Sequence, residues 1–362
     1  MMGLTRILAI DGGGIRGIIP GQILVRLEAI LQQLTGDSNA RIVDFFDLVA
    51  GTSTGGILTC LYLCPGDGSN RPRYSAQEVV DGYRRFGPAV FRKPWGHRLI
   101  SGFGLFSQKY PRKYLESHLE DYFGNIRLSQ LLRPCLITAY NVARRYAHFF
   151  TKIDAVADPA YDFLVRDVAR ATSAAPTYFE IAETVSLTRE RFPLIDGGVF
   201  ANNPALCAYV EAYREFRAHP DAQNLAILSL GTGHDQQPIN DQKAKKWGTL
   251  EWAVPLFSML MSANSETVDY QLQTIFRSVQ KPHQYLRINP LLPPGRTAMD
   301  NVREDNLNAL TELGAGIATE KLAQLQQFAR LLTDRFNSAE KSWEVLKPSR
   351  SLATQTAVDA EN

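Results

Sequence analysis

A serine between small residues is the first candidate for chemistry in this sequence. The pentapeptide Gly51-Thr-Ser-Thr-Gly55 follows an apolar segment, Phe45–Ala50, that predicts a strand, and it precedes an apolar helix predicted over Ile57–Leu63. On such a tight turn the serine hydroxyl projects above the sheet, and the start of the following helix favours developing negative charge. We therefore predict that Ser53 is the nucleophile of an acyl hydrolase.

A glycine-rich segment, Asp11-Gly-Gly-Gly-Ile-Arg-Gly17, lies between a predicted strand and a predicted helix. Its glycines allow a ligand to approach the backbone closely, and two functions fit this arrangement. Gly12, Gly14 and Gly17 match G-x-G-x-x-G, the pattern of a nucleotide-binding module. Alternatively, the consecutive amides form an oxyanion hole. The Asp11 carboxylate would repel a pyrophosphate and counts mildly against the first function, but the segment alone leaves both open.

A carboxylate is the third candidate. Asp196-Gly-Gly198 follows a predicted strand, Phe192–Ile195, and its two glycines allow close approach to the end of another strand. A serine nucleophile needs a base, which is usually a histidine. In the chain order serine, aspartate, histidine of the α/β-hydrolases, only His219, His234 and His283 follow the aspartate. His234 comes just after a predicted strand and a turn, so a histidine-dependent triad built on it stays open.

The elements that must position these residues alternate between strands and helices. Arg6–Ile10 predicts a strand and Gly17–Leu34 a helix, and the alternation continues through the serine turn. It predicts an α/β fold of three layers, with helices on both faces of a mostly parallel central sheet. Further strands are predicted at Pro134–Tyr140, Ala226–Leu230 and Tyr285–Ile288. Further helices are predicted at Ala76–Arg85, Arg112–Phe123, Phe163–Ala171, Pro204–Arg217, Trp252–Phe276 and Asn301–Phe336. The last is amphipathic and is expected to pack on the sheet.

Length and composition favour one large domain. The chain has 362 residues, 45% of them apolar, and no linker or repeat divides residues 4–337, so we predict a single domain there and a disordered tail over 348–362. The formal net charge of +2 gives no reason to expect DNA or RNA as a partner. The four cysteines and the other ligand types lack the spacing of a metal site, so no metal is predicted.

The N-terminus and the apolar stretches bear on location. No apolar leader precedes the first predicted strand, and the longest nearly apolar stretch, Trp252–Ala263, is too short to span a bilayer. We therefore expect a cytoplasmic protein that is at most peripheral at the inner face of the membrane.

Taken together, the three motifs resemble the patatin-like phospholipase family. Its pattern is a D-G-G-G-x-R-G loop, a G-x-S-x-G elbow and a late D-G-G, which correspond to Asp11–Gly17, Gly51–Gly55 and Asp196–Gly198. Four further segments are similar to the family, namely Ala171–Pro176, Gly197–Pro204, Ser229–Gly233 and Tyr285–Asn289. The lack of a secretory leader favours a bacterial, cytosolic type over the plant storage proteins of the family.

The resemblance implies a serine–aspartate dyad without histidine. Ser53 would be the nucleophile, and Asp196 would accept its proton and later activate water. The oxyanion hole would consist of Gly12, Gly13, Gly14 and Arg16. The glycines that support the two catalytic motifs are Gly51, Gly55, Gly197 and Gly198. The implied reaction is hydrolysis of fatty-acyl esters of membrane phospholipids, lysophospholipids or galactolipids through an acyl-enzyme, without metal or cofactor. Some bacterial family members are gated by cyclic nucleotides, so a nucleotide activator is a further expectation.

The segment Tyr83–Tyr114 is rich in Lys, Arg and aromatic residues and contains no Asp or Glu. Positive charge mixed with aromatic rings suits a membrane interface, and it also suits a regulatory anion. We predict that this segment is a mobile cover over the Ser53 cleft, with Arg92, Lys93 and Trp95 in contact with anionic lipid or a regulatory anion. A solvated loop whose aromatic residues anchor it to the core fits equally well.

Overall fold

The computed structural model describes residues 4–91, 109–236, 238, 244–245 and 247–333. Their strands are β1 (Thr5–Ile10), β2 (Leu48–Thr52), β3 (Cys135–Asn141), β4 (Tyr146–Thr151), β5 (Ala182–Val185), β6 (Arg191–Asp196), β7 (Leu225–Leu230) and β8 (Tyr285–Ile288). Their α-helices are α1 (Ile18–Thr35), α2 (Thr54–Leu63), α3 (Ala76–Val90), α4 (Arg112–Phe123), α5 (Lys152–Ala157), α6 (Val165–Thr172), α7 (Ala205–Glu215), α8 (Thr249–Ser278), α9 (Glu304–Glu320) and α10 (Leu322–Thr333).

The strands form one central sheet in the order β5-β6-β3-β2-β1-β7-β8, and β4 pairs with β3 beside this row. The pairs that join β3, β2, β1, β7 and β8 are parallel, whereas those of β4, β5 and β6 are antiparallel. Successive residues of β1 point to opposite faces: Leu8 and Ile10 share a core with α1 and α2, and Ile7 and Ala9 share one with α7 and α8. The predicted three-layer α/β/α fold with a mostly parallel sheet is confirmed.

The register of the sheet brings the three motifs together. Ile10 at the end of β1 is paired with Gly51 of β2, so the glycine-rich segment and the serine turn leave the sheet side by side. Strand β3 continues past its pairing with β2, and the first residue beyond that pairing, Ala139, is paired with Asp196 at the end of β6. Ser53 and Asp196 therefore lie at the same level on either side of β3.

The structure differs from the sequence prediction in two strands and two helices. Strands β4 and β5 and the short helix α5 were not predicted; β5 is only four residues long, and β4 is the hairpin partner of β3. The helix predicted over Asn301–Phe336 is two helices, α9 and α10, which are separated at Lys321. They pack mainly against α1 and not on the sheet, because α1 already covers this face. Gly314 permits this packing, since a β-carbon there would lie 2.9 Å from the carbonyl oxygen of Ile19.

The structure describes only the two ends of Tyr83–Tyr114, the segment that was predicted to be a mobile cover. Tyr83 and Phe86 lie in the last turns of α3 with their side chains buried. Tyr110 is also buried, and its hydroxyl donates to the Asp300 carboxylate at 2.5 Å. These ends are anchored in the fold, and a mobile cover stays a prediction for the residues between them.

Several predicted features lie outside the described residues. They are the lipid or anion contacts Arg92, Lys93 and Trp95 and the tail over 348–362. Within the ranges that the structure does describe, no helix has both the length and the hydrophobicity that crossing a bilayer requires.

Candidate active site

Ser53 occupies a strained turn between β2 and α2. Its φ of 54° and ψ of −120° lie outside the regions that residues with a side chain ordinarily adopt. The turn closes because both flanking positions are glycine: a β-carbon at Gly51 would lie 2.2 Å from the carbonyl oxygen of Gly55, and one at Gly55 would lie 2.0 Å from that of Ile10. The Ser53 carbonyl accepts the N–H of Ile57, so the serine begins α2. This is the strand–turn–helix geometry of a nucleophile elbow.

Three buried threonines hold this turn in place. The N–H of Ser53 donates to Oγ1 of Thr172 at 2.9 Å, and that hydroxyl donates to the carbonyl of Thr138 at 2.7 Å. The Thr138 hydroxyl donates to that of Thr52 at 2.8 Å, which in turn donates to the carbonyl of Ala201 at 2.6 Å. This series of hydrogen bonds fixes the backbone that carries the nucleophile. Thr138 gave no signal in the sequence; Thr172 lies in the family-like segment Ala171–Pro176, but its contact with Ser53 could not be predicted, because only folding brings it to the turn.

Asp196 lies beside Ser53. Both residues line the same pocket, and the Ser53 hydroxyl is close enough to the Asp196 carboxyl group to favour its ionised form; Oδ1 of Asp196 accepts the N–H of Gly198 at 2.7 Å. Asp196 is almost wholly buried, and burial raises its pKa from an ordinary value of 3.8 to about 7, against the lowering effect of these two groups. A carboxyl group that titrates near neutral pH beside a serine hydroxyl is suited to act as a general base.

The glycine-rich segment keeps two amides unpaired. The Gly12 carbonyl accepts the Thr232 hydroxyl at 2.7 Å, and the Gly13 carbonyl accepts Nε of Arg16 at 3.2 Å. In a trans peptide the N–H and the C=O point in opposite directions. The N–H of Gly13 therefore points away from Thr232, and the N–H of Gly14 points away from the Arg16 side chain. Neither amide has an acceptor among the described residues. Gly14 lines the same pocket as the nucleophile, so these two amides are the candidate oxyanion donors.

Two residues of the predicted oxyanion hole have other contacts in this structure. The N–H of Gly12 donates to the backbone carbonyl of Asn202 at 3.2 Å, so that amide is already engaged. Arg16 is buried behind the loop, where its guanidinium donates to the carbonyls of Gly13 and Thr297 and lines a separate polar cavity. Burial lowers the pKa of Arg16 to about 10, which leaves it charged at neutral pH. We therefore assign Arg16 to positioning the loop.

The helix start after the glycines is not free to bind a pyrophosphate. The N–H of Ile15 donates to the carbonyl of Met299 at 2.8 Å, and a β-carbon at Gly14 would lie 2.2 Å from the same oxygen. A carbonyl oxygen thus occupies the place where a nucleotide-binding module presents amides to phosphate. The geometry favours the oxyanion hole over the nucleotide-binding alternative.

Asp11, the first residue of the loop, is held by a buried ion pair with Arg287 of β8. Two guanidinium nitrogens donate to its two carboxylate oxygens at 2.8 and 2.5 Å. Ser265 of α8 donates to the same carboxylate at 3.2 Å and accepts a hydrogen bond from the Asn202 side chain at 3.0 Å. The glycine-rich loop is thereby tied to β8 and α8, and loss of one partner would leave a buried charge uncompensated.

An apolar pocket opens beside the Ser53 hydroxyl and measures about 610 Å³ with the space at its mouth included. Ser53 and Asp196 are among the few polar residues of its lining. Its apolar wall includes Ile57, Phe86, Val90, Phe179, Phe257 and Met261. Walls of this kind accept a hydrocarbon chain.

No histidine within the described ranges lines this pocket; His97 lies outside those ranges. His234, the predicted triad candidate, borders the polar cavity behind the loop, and its backbone N–H donates to the carbonyl of Pro290. His148 is buried among aromatic rings, and this burial lowers its pKa to about 4. Where the structure describes the chain, no three His, Cys, Asp or Glu side chains are placed to hold a metal ion.

An α/β sheet that carries a serine nucleophile on a strained strand-to-helix turn defines a serine acyl hydrolase. A family model described as "Patatin-like phospholipase" matches residues 8–209, a range that contains all three motifs. The chain belongs to the patatin-like phospholipase family, and it is a lipid acyl hydrolase. The resemblance that the motifs indicated is confirmed.

Relatives with curated names match along most of the chain. Patatin-1-Kuras 2 from Solanum tuberosum is 33% identical over 92% of this chain and 93% of its own length. Patatin-like protein 3 from Arabidopsis thaliana is 33% identical over 89% of this chain and 82% of its own length. The solved structure of VipD from Legionella pneumophila aligns over 88% of this chain and 67% of its own, with a TM-score of 0.37 and 11% identity, which is too distant to support a conclusion.

Proposed function

We propose that this lipid acyl hydrolase works through a dyad of Ser53 and Asp196, without a histidine. The observation that carries the proposal is the placement of Ser53 and the Asp196 carboxyl group in one pocket, where the hydroxyl favours the ionised carboxylate. In a triad an imidazole stands between these two groups, and no histidine of the described ranges lines this pocket. The raised pKa of Asp196 supports the same role, because a carboxylate of ordinary acidity is a weak base toward a hydroxyl.

In the proposed reaction, Oγ of Ser53 attacks the ester carbonyl carbon while Asp196 takes the hydroxyl proton. The carbonyl oxygen becomes negatively charged and accepts hydrogen bonds from the amides of Gly13 and Gly14. Collapse of this intermediate expels the alcohol, which takes the proton from Asp196 and leaves an acyl ester on Ser53. Water then attacks that ester and gives a proton to Asp196, and the departing Ser53 oxygen recovers the proton as the fatty acid is released.

The substrates that we propose are fatty-acyl esters of membrane phospholipids, lysophospholipids or galactolipids. The pocket beside Ser53 supports them, because side chains such as Phe86, Val90 and Phe257 suit an acyl chain and offer no partner to a polar substituent. The steps above use no metal or cofactor. A cytoplasmic location with peripheral membrane contact, and activation by a nucleotide, stay predictions.

Replacing His234 tests the dyad against the histidine-dependent triad. We expect His234→Ala to keep kcat/KM for a short soluble ester within about threefold of wild type, whereas losing a general base costs ~10²–10⁴-fold. Fatty-acid release from phosphatidylcholine vesicles and labelling by a fluorophosphonate are measured on the same samples. If His234→Ala is as inactive as a variant without the Ser53 hydroxyl, the dyad is wrong and the triad is supported.

The pH dependence of kcat/KM reports the protonation state of the base. Asp196 must be ionised to accept the serine proton, so activity is lost as pH falls through its raised pKa. We expect kcat/KM for a soluble ester to level off above about pH 7 and to fall about tenfold for each pH unit below it. A soluble ester is used because the headgroups of lipid substrates also change their ionisation with pH, which would alter the measured rate. Activity that persists down to the ordinary carboxyl range near 3.8 would contradict the assignment.

A further inference from the structure

Helix α8 lines the apolar pocket with one face and leaves another face uncovered by the described residues. Phe257 and Met261 contribute to the pocket wall. On the uncovered face, Trp252, Leu256 and Leu260 are 37%, 48% and 48% exposed. The same helix therefore joins the reaction cavity to an apolar patch on the surface.

These three exposed side chains form a continuous row, which we call the docking stripe (Trp252, Leu256 and Leu260). Because they are spaced four residues apart, they share one side of the helix and span ~12 Å along it. Trp247 packs edge-on against Trp252, with ring centroids 5.0 Å apart, and extends the row. Single exposed apolar side chains are common, but a contiguous apolar patch indicates an interaction surface.

We propose that the docking stripe inserts into the interfacial layer of a phospholipid bilayer and holds the mouth of the pocket against the membrane. The inference rests on the proposed lipid substrates, since an acyl chain has to leave the bilayer to reach the pocket. Leu256 and Phe257 are neighbours in the sequence, as are Leu260 and Met261, so stripe and pocket wall alternate along the same turns. A helix that lies in the interface would keep the pocket within about one helix diameter, ~10 Å, of the lipid.

The residues around the docking stripe fit a lipid surface. Tryptophan is favoured at the polar boundary of a bilayer, and leucine side chains insert below that boundary. In the sequence that precedes the helix, residues 241–248 contain Lys243, Lys245 and Lys246 and one acidic residue, Asp241. Lysines clustered in sequence next to an apolar segment are typical of segments that bind anionic headgroups.

Replacing the docking stripe with serine separates membrane docking from catalysis. We expect Trp252→Ser/Leu256→Ser/Leu260→Ser to bind vesicles of equal parts phosphatidylcholine and phosphatidylglycerol at least about tenfold more weakly, and to release fatty acid from them correspondingly more slowly. Hydrolysis of a soluble ester and fluorophosphonate labelling should stay near wild type, because none of the three side chains lines the pocket. Binding is measured with Ser53→Ala added to every chain, so that the vesicles stay intact.

A matched control removes exposed apolar side chains from other helices. Val156→Ser/Val210→Ser/Tyr213→Ser truncates side chains that are 65%, 54% and 52% exposed on α5 and α7. We expect this variant to bind vesicles as the wild type does. Unfolding temperatures of both triple variants establish that each is folded before binding is compared.

Insertion of the stripe is also measured without disturbing it. In a chain whose other tryptophans, Trp95, Trp247 and Trp343, are replaced by phenylalanine, brominated lipids should quench the fluorescence of Trp252. Absence of quenching while the chain is bound to vesicles would overturn the proposal, whatever the stability of the serine variant.

Two further outcomes would overturn it. Equal vesicle affinity of the stripe variant and the wild type would show that membrane contact lies elsewhere. A dimer that the stripe variant alone fails to form, seen by light scattering with unchanged vesicle affinity, would assign the stripe to a second copy of the chain. Failure of the proposed catalytic function is distinguishable, because the wild type would then bind vesicles but hydrolyse neither vesicles nor the soluble ester.

Discussion

Ser53→Ala is expected to lower kcat/KM for both a soluble ester and vesicle phospholipid by at least ~10³-fold. The substitution removes the oxygen that forms the acyl-enzyme. It retains the β-carbon and therefore the backbone strain of the elbow at φ 54°, so the unfolding temperature should stay close to that of the wild type. Labelling by a fluorophosphonate should disappear with the activity, because the reagent and the ester require the same oxygen.

Ser173→Ala is the matched control for this experiment. Ser173 lines the same pocket, but its hydroxyl donates to the carbonyls of Ala169 and Arg170 in its own helix turn. We expect its loss to leave activity and labelling near wild type. Mass spectrometry should find the fluorophosphonate adduct on the Ser53 peptide of the control variant. Labelling of Ser53→Ala at the wild-type rate would place the nucleophile elsewhere.

Asp196→Asn is expected to lower kcat/KM by ~10²–10⁴-fold and, at alkaline pH, to make the protein more stable. The amide has the shape of the carboxyl group and can still accept the N–H of Gly198. It has no useful proton affinity, so the Ser53 hydroxyl keeps its proton and remains a weak nucleophile. Retention of more than a small fraction of the activity would show that another group acts as base.

The gain in stability follows from the direction of the pKa shift of Asp196. Its pKa rises from 3.8 to about 7 on folding, so the folded protein binds the extra proton. The wild type therefore loses stability as pH rises through this window, by roughly 4 kcal/mol once the group is fully ionised. Asparagine does not ionise, and the variant avoids this loss.

Urea unfolding at a pH near 4 and again near 8 measures this effect. We expect similar free energies of unfolding for wild type and Asp196→Asn at the acidic pH, and an advantage for the variant at the alkaline pH. Ser53→Ala serves as the control, because it removes the serine hydroxyl and keeps the carboxyl group. It should share the pH dependence of the wild type. A difference between Asp196→Asn and wild type that does not change with pH would contradict a buried, ionisable base.

Local sequence pattern was sufficient for six of the eight described strands and for the motifs that the sheet carries. Each of the three motif residues stands at the end of a short apolar strand and beside glycines: Asp11 and Ser53 follow their strands, and Asp196 ends its strand. A strand end marked by glycines is determined by residues close in sequence, so it can be predicted. Strand β8 and helix α4 have the predicted bounds, because each is delimited by residues that end the regular pattern.

Contacts between distant parts of the chain could not be predicted from such patterns. Thr172 supports the N–H of Ser53, and Arg287 pairs with Asp11 across 276 residues, yet neither residue lies in a pattern that marks its role. The contacts of Arg16 could not be predicted for a similar reason. Its place beside the glycines was visible in the sequence, but the carbonyl toward which it points depends on the folded loop.

The ion pair between Asp11 and Arg287 has a consequence for the order of synthesis. Ser53 and Asp196 leave the ribosome well before Arg287 does. Until β8 joins the sheet, Asp11 is a carboxylate without its cation, and closing the glycine-rich loop around it is unfavourable. We expect an unfinished chain to hold the nucleophile and the base but not the ordered amides of the oxyanion hole. On this expectation the chain gains hydrolase activity only after β8 has joined the sheet.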